Sequence, residues 1–365
     1  MKVIKSNFRA QATILIFAGA LIAAIPLVKL LVFAFIPYQI NTKKAAIVEI
    51  HKGLSPIELT KTLTSKGIIS SGREFMWLGR LARQWGHIKA GEYEVSSSMS
   101  PMEIFSVFTS GVSIAYPITV REGENLYEIG RSLAEKNLIS SQMEFTQLCS
   151  DPEFISSFQR FKDNPPRSLE GFLFPDTYYF NRTLSKQDIA KQMVRHFFDF
   201  WKDDQNSRSK SLGLSIFQLV TLASMIEKET GAPEERPLIS SVFYNRMQKK
   251  MRLQSDPTTI YGIWHRYHGN LQKADLHEKN EYNTYQIPGL PIGPIANPGK
   301  DALQAALYPS KSSYLYFVSH NDGTHEFTST YTEHLAAVRK FQLDPKAKQG
   351  KSWRDLVKRH QAKKG

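Results

Sequence analysis

"VEIHKGLSPIELTKTLTSKGIISSGREF", residues Val48–Phe75, recurs 70 residues later as "ITVREGENLYEIGRSLAEKNLISSQMEF", residues Ile118–Phe145. At that offset Gly53 meets Gly123, Glu58 meets Glu128, Leu63 meets Leu133 and Lys66 meets Lys136. The triplet "ISS" returns at Ile69 and Ile139, and Glu74–Phe75 returns as Glu144–Phe145. Each copy reads as a short strand, a glycine turn, a helix, and the start of a second helix after the paired serines. The strands lie in "AAIVEI" and "AYPITV". Strands alternating with short helices place this part of the chain in the α+β class. Between the copies, "KAGEYEVSSSMSPMEIFSVFTSG" supplies a strand ("GEYEV"), a serine-rich turn, a helix opened by Ser100–Pro101 and a stop at Gly111. A duplicated unit of this size suits a binding module, and a plain duplicated scaffold leaves the same trace.

Upstream of the repeat, "MKVIKSNFRA" carries Lys2, Lys5 and Arg9 and no acid, and the stretch from Ala12 to Val28 carries no charge. Lys29 interrupts once before Leu30–Ile36 continues apolar. A segment over 12–36 is long enough to cross a bilayer, which takes roughly 20 apolar residues. It lacks the small-residue cleavage site of a secretory signal. The basic cluster at 1–11 favours a cytoplasmic N-terminus, with Lys43 and Lys44 beyond the span weakening that vote. The chain would then lie outside the cytoplasm from about residue 37.

The 365 residues are 41% hydrophobic and 12% aromatic, the composition of a folded chain. Lys and Arg outnumber Asp and Glu to give a formal charge of +13, which suits an anionic partner (nucleic acid, a membrane surface or an acidic polymer) without choosing among them. Cys149 is the sole cysteine, so neither an internal disulfide nor a cysteine-built zinc site is possible within one chain. After Ser150 the texture becomes rich in proline, aromatics and polar turns. An amphipathic helix follows in "KQDIAKQMVRHFFDFWKDDQ", then a polar linker to Gly213. Residues 215–345 read as the main globular body, and 346–365 as a basic tail.

That body opens on "SIFQLVTLASMIEKETG", residues 215–231. Ser215 with Gln218 three positions on forms a capping box. The stripe Leu219, Leu222, Ala223 and Ile226 marks a buried face, and Gly231 and Pro233 end the helix. Glu227 and Glu229 flank the stripe at similar angles, so periodicity does not choose between them. A helical side chain covers the residues three and four positions back. For Glu229 these are Ile226 and Met225; for Glu227 they are Ser224 and Ala223. A carboxyl on bulky apolar neighbours keeps its proton more readily, which favours Glu229 as an acid and leaves Glu227 hydrated. Downstream, "RLQSDPTTIYG", "YNTYQIPGLPIGPIANPG" and "YLYFVSH" set polar and aromatic residues in loops fixed by proline and glycine. Gln254, Tyr282, Asn283, Tyr285 and Asn297 are the neutral hydrogen-bonding and stacking types of a sugar-binding cleft.

These segments, with "EGFLFPDTY", "ASMIEKET" and "ERPLISSVFYNRM", closely resemble the endolytic murein transglycosylase family, also called MltG or YceG-like. The resemblance spans roughly residues 45–345. It implies a single-pass inner-membrane protein with a LysM-like αβ region (45–149) and a mixed α/β catalytic domain (150–345) outside the cytoplasm. It further implies internal cleavage of nascent peptidoglycan glycan strands, with the second glutamate of the "EKET" motif, Glu229, as the catalytic group. Such an enzyme needs neither metal nor cofactor. One carboxyl gives its proton to the oxygen between N-acetylmuramic acid and N-acetylglucosamine. It then takes a proton from the muramic acid C6 hydroxyl, whose oxygen closes a 1,6-anhydro ring. Gln254, Asp256, Tyr282, Asn283, Tyr285 and Asn297 form the expected substrate-binding set. Asp256 and Asp176 adjoin prolines in tight turns and read as turn-formers before second catalytic carboxylates; Glu170 cannot be placed from sequence. His265 and His268, and His320 and His325 around "NDGT", read as surface residues. The expected partners are glycan strands and the inner membrane, with peptidoglycan synthases as candidate protein partners; no nucleic-acid motif is present. A hydrolytic muramidase or a non-catalytic peptidoglycan scaffold would share much of this pattern.

Overall fold

The computed structural model describes residues 24–39, 44–162 and 164–344. Residues 12–23 of the 12–36 segment and the basic tail at 346–365 lie outside the described residues. What is described of the former is an apolar helix, α1 (Ala24–Phe35). Among the described residues no single helix is long and apolar enough to cross a membrane. Two compact units divide the chain, and the division falls between the two copies of the repeat. The first unit runs to Pro117 and takes in Tyr179–Ser185; the second holds Ile118–Tyr178 and Lys186 onward. A boundary at 149/150 would therefore cut through the second unit.

In the first unit, β1 (Ala45–Ile50) pairs antiparallel with β2 (Gly91–Ser96), with Ala45 opposite Ser96 and Ile50 opposite Gly91. Between them run α2 (Pro56–Ser65) and α3 (Gly72–Leu81), and α4 (Pro101–Ser110) follows. Alternation in β1 turns Val48 and Ile50 inward, where they meet Leu63, Phe75, Phe105 and Phe108. Phe75 and Phe105 stack with centroids 4.2 Å apart. On α1, Ala34 packs into this core, while Ile25, Leu27, Val28, Leu31, Val32 and Phe35 are exposed.

The second copy builds the same local sequence of elements. β3 (Tyr116–Val120) leads to α5 (Leu126–Glu135) and α6 (Gln142–Leu148), and β3 pairs with β4 (Asp176–Phe180). Ser55 with Glu58 caps α2 by a reciprocal box, and Asn125 with Glu128 does the same for α5. Ser71 caps α3 and Ser141 caps α6. Gly53 and Gly123 take the same left-handed turn, with φ of +88° and +79°. That conformation is open to glycine at little cost, which is why the repeat keeps it at this point. Leu63 and Leu133, and Phe75 and Phe145, are all wholly buried.

The rest of the second unit is built around one helix. After α7 (Pro152–Ser156) come α8 (Lys186–Phe200) and α9 (Asp203–Ser211). The segment read as a polar linker is thus a helix, tied down by Arg208 Nε donating to Leu307 O and Ser209 Oγ to Leu214 O. α10 (Ile216–Glu229) carries the expected box of Ser215 and Gln218. Its burial is not confined to a stripe: every residue from Leu219 to Ile226 is buried. A helix covered all round is a core element. Its neighbours are α9, α11 (Arg236–Gln248), α12 (Asp256–Gly262) and α13 (Lys300–Leu307). Ser224, too polar for such a core, is satisfied by donating to Thr221 O and accepting from Ile295 N. A hairpin of β5 (Tyr316–Ser319) and β6 (His325–Thr328) leads to α14 (Tyr331–Val338), and a π-helical turn (Arg339–Leu343) follows it at the end of the described chain.

Candidate active site

The last turn of α10 leaves the core and delivers Glu227, Lys228 and Glu229 to a groove of about 710 Å³. Arg236, Ser319, Asn321 and His325 line it as well. Glu229 extends from the turn of Met225 and Ile226, both wholly buried. Burial pushes its pKa up to about 7, and the negative charge of Asp256 adds to the rise. The Ser255 hydroxyl, which donates to the Glu229 carboxylate, and the Arg246 guanidinium pull the other way. A carboxyl with this pKa exchanges a proton near neutral pH in either direction.

Ser255 was not singled out by its sequence, and its placement explains why it matters. It is buried at the N-cap of α12. Its amide donates to Thr284 Oγ1 at 2.9 Å, its carbonyl accepts from Thr258 Oγ1 at 2.7 Å, and the two threonine hydroxyls meet at 2.9 Å. This closed set leaves Ser255 Oγ aimed at Glu229. Arg246 is held as firmly, donating to Leu315 O and Leu253 O, each at 2.7 Å, with its guanidinium over the Tyr316 ring. Both residues lie in segments that the sequence marked, "ERPLISSVFYNRM" and "RLQSDPTTIYG", but their individual roles appear only in three dimensions.

Glu227 is not the hydrated carboxylate its neighbours suggested. Its side chain is 5% exposed and pairs with Arg236 at 2.9 Å, and it accepts from Gly299 N at 3.0 Å. The cover comes from outside α10: Arg236 of α11, nine positions on, and Gly299 in the loop before α13, 72 positions on. Burial raises its pKa against the opposing pull of Arg236. Its acceptor capacity is spent on fixed partners, so it holds the groove wall while Glu229 faces the cavity. His325, read as a surface residue, is also drawn in. Its side chain is 9% exposed, with Nδ1 2.7 Å from Glu235 Oε2 and its amide donating to Glu235 Oε1.

The expected substrate-binding set divides. Asp256 and Gln254 are exposed beside Ser255, and the Tyr285 hydroxyl donates to Asp256 Oδ1 at 2.7 Å. Gln254 Oε1 lies 3.4 Å from Arg246 Nη1. These three residues join the surroundings of Glu229. Asn283 does not face solvent: it is 1% exposed, accepts from Thr259 Oγ1 and Tyr285 N, and donates to the carbonyls of Asp275 and Glu278. Asn297 is wholly buried, accepting from Leu173 N and donating to Glu124 O and to Glu170. Both asparagines build the scaffold, because their amides match backbone groups that the proline- and glycine-rich loops leave unpaired. Tyr282 lines a different groove, against Tyr261. Glu170 is wholly buried, accepting from Leu126 N, Asn297 Nδ2 and the Tyr261 hydroxyl. His265 and His268 are exposed.

Comparison with known proteins converges on one group. The model of the YceG-like family matches residues 48–340. An endolytic murein transglycosylase of Bacillus subtilis is 34% identical over 317 residues, covering 84% of this chain and 87% of that protein. One from Streptococcus pneumoniae is 28% identical over 313 residues, covering 78% of this chain and 56% of that longer protein. A crystal structure of a yceG-like protein from Listeria monocytogenes aligns with a TM-score of 0.56 at 31% identity, over 81% of this chain and 99% of that one.

Proposed function

The chain belongs to the YceG-like family and is a lytic transglycosylase of peptidoglycan, and from that premise we propose that Glu229 is its single acid–base group. One observation carries the assignment. Glu229 stands at the groove end of the buried α10 with a pKa near 7, one oriented hydroxyl on its carboxyl and, among the described residues, no ion-pair partner that fixes its charge. In the first step the protonated carboxyl gives its proton to the glycosidic oxygen between N-acetylmuramic acid and N-acetylglucosamine, and that C–O bond breaks. In the second the carboxylate takes the proton of the muramic acid C6 hydroxyl, whose oxygen bonds to C1. Atoms balance without water, the product carries a 1,6-anhydro end, and Glu229 regains its proton. Ser255 holds the carboxyl in place between the steps. Cleavage inside a nascent strand ends its elongation.

A paired assay tests this. Glu229→Gln is isosteric and cannot carry the proton, so anhydro-ended fragments fall by about 10²–10⁴ with the melting temperature unchanged. Glu227→Gln acts elsewhere: it strips a buried ion-pair partner from Arg236 and lowers the melting temperature, because the residual charge stays buried. Anhydro products from Glu229→Gln at near the native rate would falsify the assignment, and reducing ends in place of anhydro ends would mark a hydrolase.

The first unit, a strand–helix–helix–strand layout with β1 and β2 antiparallel, supports a LysM-like reading of that region. The exposed apolar face of α1, behind the basic N-terminal residues, supports a membrane anchor with both units outside the cytoplasm. A reporter fused at Gly365 should be active outside the cytoplasm only; cytoplasmic activity overturns the anchor.

A further inference from the structure

Each copy of the duplicated unit borders a hollow, and the two hollows share part of their lining at equivalent positions. In the first copy a cavity of about 700 Å³ is lined by Ile57, Met76, Trp77 and Arg80 among others. In the second a groove of about 670 Å³ is lined by Tyr127, Thr146, Gln147 and Ser150. These four pairs stand at the 70-residue offset of the repeat. The two hollows overlap at these four positions, and the chemistry there differs between copies. An isoleucine becomes a tyrosine, and a tryptophan and an arginine become a glutamine and a serine.

The second groove is completed by the C-terminal end of α12 and the loop after it. Tyr261 and Tyr282 lie with ring centroids 4.8 Å apart, Tyr127 is 6.0 Å from Tyr261, and Trp264 stacks on Tyr127 at 6.0 Å and 16°. All four rings are half-buried. The platform is fixed from beneath: the Tyr261 hydroxyl donates at 2.8 Å to the wholly buried Glu170, which also receives Leu126 N at 2.9 Å and Asn297 Nδ2 at 2.9 Å. Asn280 Oδ1 accepts from Tyr282 N at 2.8 Å and holds that ring's backbone. Glu170 does no chemistry at Glu229, and its burial is explained by this positioning task. Arg167 and Glu281, paired at 2.9 Å and well exposed, form the rim.

Fixed aromatic faces beside neutral amides and hydroxyls match a chain of N-acetylated sugars, which offers C–H faces to rings and acetamido groups to amides. The groove is also tied to the reaction. Ser255 and Asp256 at the start of α12 meet Glu229, and Tyr261 and Gly262 at its end line the groove, about 9 Å away along the helix at 1.5 Å per residue. We propose that the groove formed by Tyr127, Tyr261 and Tyr282 is a second glycan subsite. It grips the same strand that Glu229 cuts, a few sugars from the scissile bond. This rests on the transglycosylase reading above and adds a residence for the uncut portion of the strand, which suits cleavage away from chain ends.

The test uses the full chain carrying Glu229→Gln, so that strands bind without being cut, and titrates it with peptide-free, uncrosslinked peptidoglycan glycan strands by calorimetry. Adding Tyr282→Ala should raise Kd about fivefold or more, the loss of one aromatic contact. Tyr282→Phe, which keeps the ring, should stay within about twofold. If Tyr282→Ala lowers the melting temperature, Gln147→Ala, on the exposed wall, takes its place with a rise in Kd expected. Unchanged Kd in the alanine variants, with the native protein still producing anhydro ends, overturns the second subsite alone. Absence of anhydro ends from the native protein overturns the transglycosylase mechanism instead.

Discussion

A carboxyl becomes an acid at neutral pH by losing water, and at Glu229 three nearby groups set how far that goes. Asp256, exposed and bound by the Tyr285 hydroxyl, raises the Glu229 pKa through its charge, while Ser255 and Arg246 lower it. Neutralising Asp256 removes one raising influence, so the Glu229 pKa must fall. The protonated acid is then lost at lower pH, and the alkaline limb of kcat/KM for Asp256→Asn moves to lower pH. Asparagine keeps an oxygen for Tyr285, so the fold should hold. A pH–rate profile with the limb unmoved, at unchanged melting temperature, would mean that Asp256 does not set the Glu229 proton affinity. Met225 and Ile226, its neighbours on the helix, made Glu229 the better candidate acid in the sequence, and in the structure burial raises its pKa. The same rule misjudged Glu227, whose cover comes from Arg236 and Gly299. Local spacing sees the cover a helix gives itself and misses the cover that other elements bring. Asn283 and Asn297 show the reverse error: polar types in fixed loops suggest a cleft, yet here they satisfy the loops' own backbone.

The repeat was legible because its signals are local: two glycine turns, two capping boxes, two serine caps and matched core positions. The helix α9 was not, since "DDQNSRSKS" has no apolar stripe of its own and is held by bonds from Arg208 and Ser209 to distant or non-helical carbonyls. The unit boundary was hidden for a related reason. Gly123 N donates to Asn297 O and Gly123 O accepts from Lys228 Nζ, so the second copy is sewn to residues more than a hundred positions away. Equivalence of the two glycine turns can be measured. A Cβ on Gly53 meets nothing within 4 Å, and one on Gly123 meets only ordinary contacts at 3.5 Å, so both substitutions pay for φ rather than for a clash. Gly53→Ala and Gly123→Ala should each cost about 1–2 kcal/mol in the unfolding of their own unit. Only Gly123→Ala should also slow cleavage, because its turn supports Lys228 beside Glu229. Urea unfolding of the two variants checks this; a Gly123→Ala protein as stable as the native one would deny the strained turn.

For the molecule as a whole, the two units hold their acids differently, and pH should separate them. In the first unit the shifted carboxyls are Glu58 and Glu103, both lowered by the hydrogen bonds of their capping boxes. In the second, Glu144 is lowered by its hydrogen bond from Lys186, Asp275 by the Gln272 amide and Arg266, and Glu333 by its capping box, but Glu170 and Glu229 are pushed up to about 7 by burial, and Glu227 is raised too. A raised carboxyl binds more protons folded than unfolded between its usual value of 4.5 and its folded value near 7. Across that window stability must fall as pH rises. A lowered carboxyl acts in the opposite sense, and its contribution is lost only on acidification below its usual value. From pH 5 to pH 8 the second unit should therefore lose stability while the first stays nearly level. Hydrogen exchange, read separately in α2–α4 and in α10–α13 over that range, checks the contrast. Glu170→Gln, which retains an acceptor for Leu126 N, should flatten the slope of the second unit. Protection in α10–α13 that rises from pH 5 to pH 8 after correction for intrinsic exchange would show that Glu170 and Glu229 fold as carboxylates, and would remove the proton that the proposed mechanism needs.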